Sequence, residues 1–246
     1  MKIMSNKVVI ISGGSRGIGK ALALQLAQLN YRVVIAYAKN KQAAEQVVQT
    51  IQSHQGVAFA VQTDISNMNE VKNLFSFTLE QFGKIDAVVN TAGIAILKPL
   101  IEFTETEFQS ILHNNITGTF NILHQAAQHV SEHGRILTFS SNVTETLPPN
   151  YAPYAASKAA VEAMTKVLAK ELRGKSISIN VLSPGPTTTE MFLDGKSTET
   201  IEAFKNMSPL ERLGQPEDIV NVVSFLLSQE GAWINGQVLK VNGGLV

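Results

Sequence analysis

Val8-Val9-Ile10-Ile11-Ser12-Gly13-Gly14-Ser15-Arg16-Gly17-Ile18-Gly19 is the stretch on which the fold turns. The unbroken apolar run that starts at Val8 and closes on Ser12 reads as a buried strand. Ile18, Leu22, Leu26 and Leu29 then recur at helical spacing, and Asn30 suits a helix stop. Strand therefore passes into helix across a loop carrying Gly13, Gly14, Gly17 and Gly19. Glycines there permit a tight turn, let an anionic group approach the backbone, and let the helix pack against the sheet. Free amides at the helix start point at such an anion, and the helix dipole adds to the attraction. The spacing is not G-x-G-x-x-G; its position directly after the first strand gives it its weight.

Outward from this loop, strand-like and helical runs alternate to the end of the chain. Strands are predicted at Arg32–Tyr37, 57–62, 85–90, 135–140, 176–182 and Val238–Val241. Helices are predicted at 41–54, 67–82, 155–173, 201–207 and 216–228, with one long helix over 105–133 ended by Gly134. Residues 183–200 are polar, carry two prolines and read as a long loop. The alternation implies an α/β fold, a doubly wound and mainly parallel seven-stranded sheet with helices on both faces. No linker or repeat interrupts it, so residues 1–246 are expected to form one domain with a movable lid at about 185–210.

Composition narrows the function. Lys and Arg number 20 against 20 Asp and Glu, with no basic cluster, which argues against nucleic acid as a partner. Hydrophobic residues make up 44% of 246, enough to build a core and to exclude disorder. Cysteine is absent, which removes disulfides, thiolate metal sites and cysteine nucleophiles together. No apolar run reaches membrane-spanning length, and the start, Met1 to Lys7, has no signal-peptide pattern. A cytoplasmic location is the expectation. His129 and His133 are four apart near a predicted helix end, where imidazole suits the dipole; with no third ligand beside them, no metal site is expected.

Several short motifs occur in a telling order. Ser12-Gly13-Gly14-Ser15-Arg16-Gly17-Ile18-Gly19 resembles the T-G-x-x-x-G-I-G segment of the short-chain dehydrogenases/reductases. Asn90-Thr91-Ala92-Gly93 is similar to their N-N-A-G, and Asn115-Ile116-Thr117-Gly118 to their N-x-x-G. Ser140-Ser141 followed by Tyr154-Ala155-Ala156-Ser157-Lys158 resembles their Ser…Tyr-x-x-x-Lys set, and Ser183-Pro184-Gly185 completes the series with Asn242-Gly243-Gly244. Within the family the look is that of the 3-oxoacyl-[acyl-carrier-protein] reductase type. Two positions depart from the pattern: Ser12 stands where threonine is usual and Thr91 where asparagine is usual.

The resemblance implies a Rossmann fold and a nicotinamide dinucleotide, and the residues indicate which one. An acid at the end of the second strand would accept from the ribose 2′-OH of NAD. This chain has Tyr37-Ala38-Lys39-Asn40 there, and Arg16 in the glycine loop, so two cations and no carboxylate await a 2′-phosphate. NADP(H) is the expected cofactor. The implied contacts are Gly13, Ser15, Arg16, Gly17, Ile18, Gly19, Tyr37, Lys39, Asp64, Ile65, Asn90, Ala92, Gly93, Tyr154, Lys158, Pro184, Gly185, Thr187 and Thr189. Asp64 resembles the family acid that binds the adenine amino group.

Tyr154 and Lys158 are four apart on a predicted helix and share a face. A nearby ammonium favours the phenolate, so Lys158 is expected to lower the pKa of Tyr154. Ser141 can orient a carbonyl and stabilise charge on its oxygen. Asn115 resembles the residue that holds a water linking the lysine to solvent. The expected reaction is NADPH-dependent reduction of a ketone to a secondary alcohol, by hydride transfer with Tyr154 as general acid.

Substrate contacts are expected from Ser141, Val143, Tyr151, Tyr154, Pro186 and Met191, in segments 94–96, 143–151 and 186–192 where Glu145 and Glu190 are the only charges. An apolar groove without an arginine clamp suits a 3-oxoacyl thioester; a sugar, polyol or dicarbonyl remains open, as does a silent dinucleotide sensor. For an acyl carrier protein the basic candidates are Arg135, Arg173 and Lys175, a thin patch. The family commonly pairs the Asn115 and Tyr154 helices across a two-fold axis, implying a homotetramer. Phe108, Leu112, Phe120, Leu123, Met164 and Leu168 offer apolar surface for it.

Overall fold

β-Branched runs without a polar interruption fill the middle of the sheet. In the computed structural model, which describes residues 6–246, β1 (Val8–Ser12) is buried along its whole length. The reading of residues 1–5 as free of a signal peptide lies outside the described residues. β1 pairs in parallel with β2 (Arg32–Tyr37) on one side and β4 (Ala87–Asn90) on the other. β3 (Ala58–Gln62), β5 (Arg135–Phe139), β6 (Ser178–Pro184) and β7 (Val238–Val241) extend the sheet to the order β3-β2-β1-β4-β5-β6-β7, all parallel.

Alternate residues of each strand feed two separate cores. Val9, Ile11, Val33 and Ile35 pack under α1 (Gly17–Gln28), α2 (Lys41–Ser53) and α10 (Pro216–Leu227). Ile10, Val34, Val88 and Ile136 pack under α3 (Met68–Phe82), α5 (Gly118–His129) and α7 (Ala152–Glu171). The fold is the expected doubly wound one. Between β1 and β4 the strand order reverses, which opens a crevice at the strands' C-terminal ends. Ser12 and Asn90 face each other there.

The expected long helix over 105–133 is not continuous. α4 (Glu105–Ile111) leads into a π-helical turn, Leu112–Thr117, before α5 resumes and ends at His129. Val130 is buried and extended (φ −67°, ψ 130°), so the chain leaves the helix to reach the core several residues before Gly134. The expected loop over 183–200 is also largely ordered. β6 runs to Pro184, and two helices, α8 (Glu190–Leu193) and α9 (Thr198–Met207), follow with Thr189 and Ser197 as their N-caps. A short α6 (Val143–Thr146) lies between β5 and α7.

Candidate active site

The glycine loop leaves β1 with Gly13 and Gly14 donating to the Ala36 carbonyl at 3.0 and 3.3 Å. It then doubles back so closely that a Cβ on Gly19 would lie 2.3 Å from the Gly13 carbonyl oxygen. No larger residue fits without reopening the turn. Thr91 Oγ1 fills the remaining space and donates to the Ser12 carbonyl at 2.6 Å. Ser12 Oγ donates to Asn90 Oδ1, and Asn90 Nδ2 donates to Thr119 Oγ1 at 3.0 Å. Both departures from the family motif thus bind each other's strands. The Asn90 side chain is buried in this chain of contacts.

α1 begins beside the loop with no side-chain cap and no acid in its first turn. Asn40, Asn67 and Thr104 fill that role for α2, α3 and α4. The amides of Gly17 and Ile18 are therefore left to an external anion, which fits a dinucleotide pyrophosphate. Arg16 and Lys39 are exposed, and among the described residues neither forms an ion pair. Tyr37 is buried in the core, Ser15 and Ala92 half-buried. Asp64 Oδ1 accepts from the Ser66 amide and hydroxyl at 2.9 and 2.8 Å, a turn role that leaves its second oxygen free of protein contacts among the described residues. Ile65 turns its side chain into the core, and its carbonyl accepts from Asn121 Nδ2 at 2.8 Å.

The second half of the site is a ladder between α7 and β5. Lys158 Nζ donates to the Phe139 carbonyl at 2.9 Å, and Thr165 Oγ1 meets Thr138 Oγ1 at 2.9 Å. One turn before Lys158, Tyr154 meets Ser141, whose hydroxyl draws the phenol pKa down. Burial outweighs it and holds the Tyr154 phenol up at about 12. Burial likewise pulls Lys158 down to about 8. The expected lowering of Tyr154 by Lys158 is thus reversed in the protein alone. Lys158 gives its hydrogen bond to a carbonyl, with its Nζ 5.7 Å from the Tyr154 ring centroid.

Asn115, buried on the π turn, clamps the segment after β4: Nδ2 donates to the Ile94 carbonyl and Oδ1 accepts from the Ile94 amide, both at 2.9 Å. Nδ2 also donates to Ser157 Oγ at 2.9 Å. A Cβ on Gly93 would lie 3.3 Å from Lys158 Nζ and 3.2 Å from Asn115 Oδ1, so a side chain there would push these groups apart by a few tenths of an ångström. Asn115 thus holds a backbone segment as well as the hydroxyl of Ser157. One contact had no advance signal beyond i,i+4 spacing from Lys158. Glu162 Oε1 accepts from Ser140 Oγ at 2.5 Å and Thr144 Oγ1 at 3.0 Å.

A phosphate-ready helix start thus shares one crevice with a partly buried Tyr–Lys–Ser group, and known proteins carry the same whole-chain pattern. The family model described as enoyl-(acyl carrier protein) reductase matches residues 13–246. A short-chain type dehydrogenase/reductase of Picea abies is 41% identical over 99% of this chain and 93% of its own. The chain belongs to the short-chain dehydrogenase/reductase family. It is an oxidoreductase. An NADPH-dependent aldehyde reductase-like chloroplastic protein of Arabidopsis thaliana is 40% identical over 99% of this chain and 95% of its own. A short-chain dehydrogenase of Burkholderia cenocepacia, solved in complex with NADP, superposes with a TM-score of 0.93 at 33% identity, covering 98% of each chain.

On the substrate side of this reductase fold, Gly185 donates to the Val241 carbonyl at 3.0 Å, holding the Pro184–Gly185 turn against β7. Thr187 is buried and donates to the Gly185 carbonyl at 2.9 Å. Thr189 caps α8 and lies 3.6 Å from where a Gly17 Cβ would be, so the segment after β6 starts against the glycine loop. A cavity of about 200 Å³ under α9 is lined by Pro186, Phe204, Leu210 and Asn242 together with the Arg212–Asp218 ion pair. Met191 is exposed and Tyr151 half-buried, whereas Val143 turns inward and is buried. Glu145 is neutralised by Lys240 at 2.6 Å. Arg135 is buried and opens β5, at the end of the strands opposite the site, because parallel strands carry their N-termini there. It cannot face an acyl carrier protein at the mouth. Among the described residues no helix is long and apolar enough to cross a membrane.

Proposed function

We propose that this oxidoreductase uses NADPH to reduce a carbonyl group to an alcohol, in one domain whose residues at about 185–210 act as the lid. The carrying observation is the half-buried Tyr154 and Ser141 with the buried Lys158, in the same crevice as an uncapped helix start flanked by Arg16 and Lys39. The dinucleotide, when bound, supplies the hydride. Gly13, Gly17, Ile18 and Gly19 hold its phosphates, and Arg16 and Lys39 take the 2′-phosphate. Asp64, Asn90 and Gly93 border the adenosine side, and Pro184, Gly185, Thr187 and Thr189 the nicotinamide side. The NADP in the Burkholderia cenocepacia structure and the name of the Arabidopsis relative support this assignment.

Tyr154 donates its proton to the carbonyl oxygen. A phenol held at about 12 keeps that proton throughout the neutral range, which suits an acid in the reductive direction. Lys158 stands one turn away to supply the replacement proton, and Ser141 hydrogen-bonds the carbonyl oxygen as charge builds on it. Asn115 fixes the Ile94 backbone that borders the pocket. Glu145 is paired with Lys240, and Arg212, which lines the cavity, is held at both guanidinium nitrogens by Asp218 (2.6 and 2.9 Å) rather than left open to a substrate carboxylate, so an uncharged keto group on an apolar chain fits best, such as a 3-oxoacyl thioester presented without its carrier protein. The chains associate as homotetramers through the α4–α5 and α7 faces.

Following NADPH absorbance over aldehydes, diketones, sugars, acetoacetyl thioesters and enoyl thioesters tests the reading. We expect carbonyl reduction with NADPH favoured over NADH by at least about tenfold in kcat/KM, and loss of that preference in the Arg16→Ser, Lys39→Ser double variant. Preference for NADH, or turnover of enoyl thioesters alone, overturns it. Sugar oxidation without thioester reduction would keep the chemistry and change the substrate.

A further inference from the structure

We propose that Glu162 is a positioning residue for Ser141, a role that rests on the carbonyl-reductase reading above. Ser141 is poorly held by its own side chain. Apart from its meeting with Tyr154, the group it serves, its hydroxyl makes only 3.4 Å contacts, to Asn142 Oδ1 and the Val143 amide. Where the hydroxyl sits is therefore set by the backbone on either side of it, and both sides lead to Glu162. Upstream, Ser140 Oγ donates to Glu162 Oε1 at 2.5 Å. Downstream, the Ser141 carbonyl accepts from the Thr144 amide at 3.2 Å, and the one proton of the Thr144 hydroxyl is shared between that carbonyl (3.0 Å) and Glu162. Thr144 Oγ1 also reaches Glu162 Oε1 at 3.0 Å.

One carboxylate oxygen thus receives two hydroxyls that bracket the serine. Glu162 sits one turn beyond Lys158 on α7, and Lys158 one turn beyond Tyr154, so a single helix face sets tyrosine, lysine and serine in register. Among the described residues no lysine or arginine pairs with Glu162; hydroxyl donors replace a cation. Bonds to an ionised acceptor are shorter and stronger than neutral ones, which suits a clasp that must hold a turn.

The test uses the full chain with NADPH and a carbonyl substrate that the wild type reduces. Glu162→Ala is expected to lower kcat by about tenfold or more while leaving NADPH affinity within about twofold, because the clasp acts on the serine and not on the dinucleotide site. Glu162→Gln is expected to restore most of the loss, since its amide oxygen accepts the same two hydroxyls. In a Ser141→Ala background, Glu162→Ala should cost almost nothing more, the mark of two residues acting through one group. Should Glu162→Ala not fold, Ser140→Ala with Thr144→Val removes the same bonds from the other side and must lower kcat alike. Unchanged kcat, an equal fall in NADPH affinity, or a full additional loss in the Ser141→Ala background overturns the proposal alone. A wild-type chain that reduces no carbonyl, or a fully active Tyr154→Phe, overturns the reductase reading and this proposal with it.

Discussion

Tyr154 and Lys158 are buried in opposite senses: one keeps a proton it could lose, the other is pressed to lose one it would keep. Tyr154→Phe removes only the acid, so NADPH-dependent reduction should vanish while NADPH still binds by fluorescence titration. Tyr151→Phe, which removes a hydroxyl seven residues from Lys158, should cost far less. Equal activity in the two variants would strip Tyr154 of its role. For Lys158 the folded value of about 8 lies below the 10.5 of an unburied lysine. Between those values the unfolded chain binds more protons, so stability rises with pH across the window. Below it, the cost of charging the buried amine is fully present, on the order of 3 kcal/mol. Lys158→Met should therefore abolish turnover yet raise Tm near neutral pH, with the gain shrinking as pH approaches 10.5. Melts at the two ends of that range decide it; no gain at neutral pH would mean that the ammonium is better solvated than its burial implies.

At the scale of elements, the turn between β1 and α1 is the least forgiving. Gly19→Ala would place a methyl against the Gly13 carbonyl oxygen, and relief requires opening the turn that holds the anion site. A destabilisation of about 1–3 kcal/mol, with NADPH affinity falling alongside, is expected by denaturant titration. Wild-type affinity would show that the loop yields more easily than its packing suggests. This turn was legible in sequence because its causes are local: a β-branched run, glycines, then helical periodicity. The Tyr154–Lys158 spacing was legible for the same reason. The π turn was not, because it sits where Asn115 clasps Ile94, a contact spanning 21 residues of chain that no window around 115 contains. The breadth of the lid loop was overread for want of weighing its caps: Thr189 and Ser197 each accept from a helix amide three residues on. The level of the Tyr154 pKa was missed because spacing brings a lysine near but does not say where its ammonium points.

Over the whole molecule, only Phe108 and Phe120 of the apolar side chains expected between subunits are exposed; Met164 and Leu168 pack against the core, and the large exposed apolar side chain on α7 is Val167. Phe108, Phe120 and Val167 are 40%, 49% and 54% exposed. Leu123, expected there too, is only 4% exposed and belongs to the core beneath. Light scattering at micromolar concentration should give a tetramer, and Phe120→Glu should shift it to smaller species; a wild-type monomer would remove the proposal. The pairing of β6 with β7 has a different consequence, one of timing. Pro184 lies in register with Val241, and the Gly185 amide bonds to the Val241 carbonyl. The strands of the glycine loop are synthesised first, but the turn at the nicotinamide end gains its backing only when the last strand emerges. Until then β6 presents an unpaired apolar edge, the kind that joins neighbouring chains. A nascent chain stalled short of Val238 is thus half a binding site with an open seam, and its hazard on the ribosome is clumping rather than misdirected catalysis.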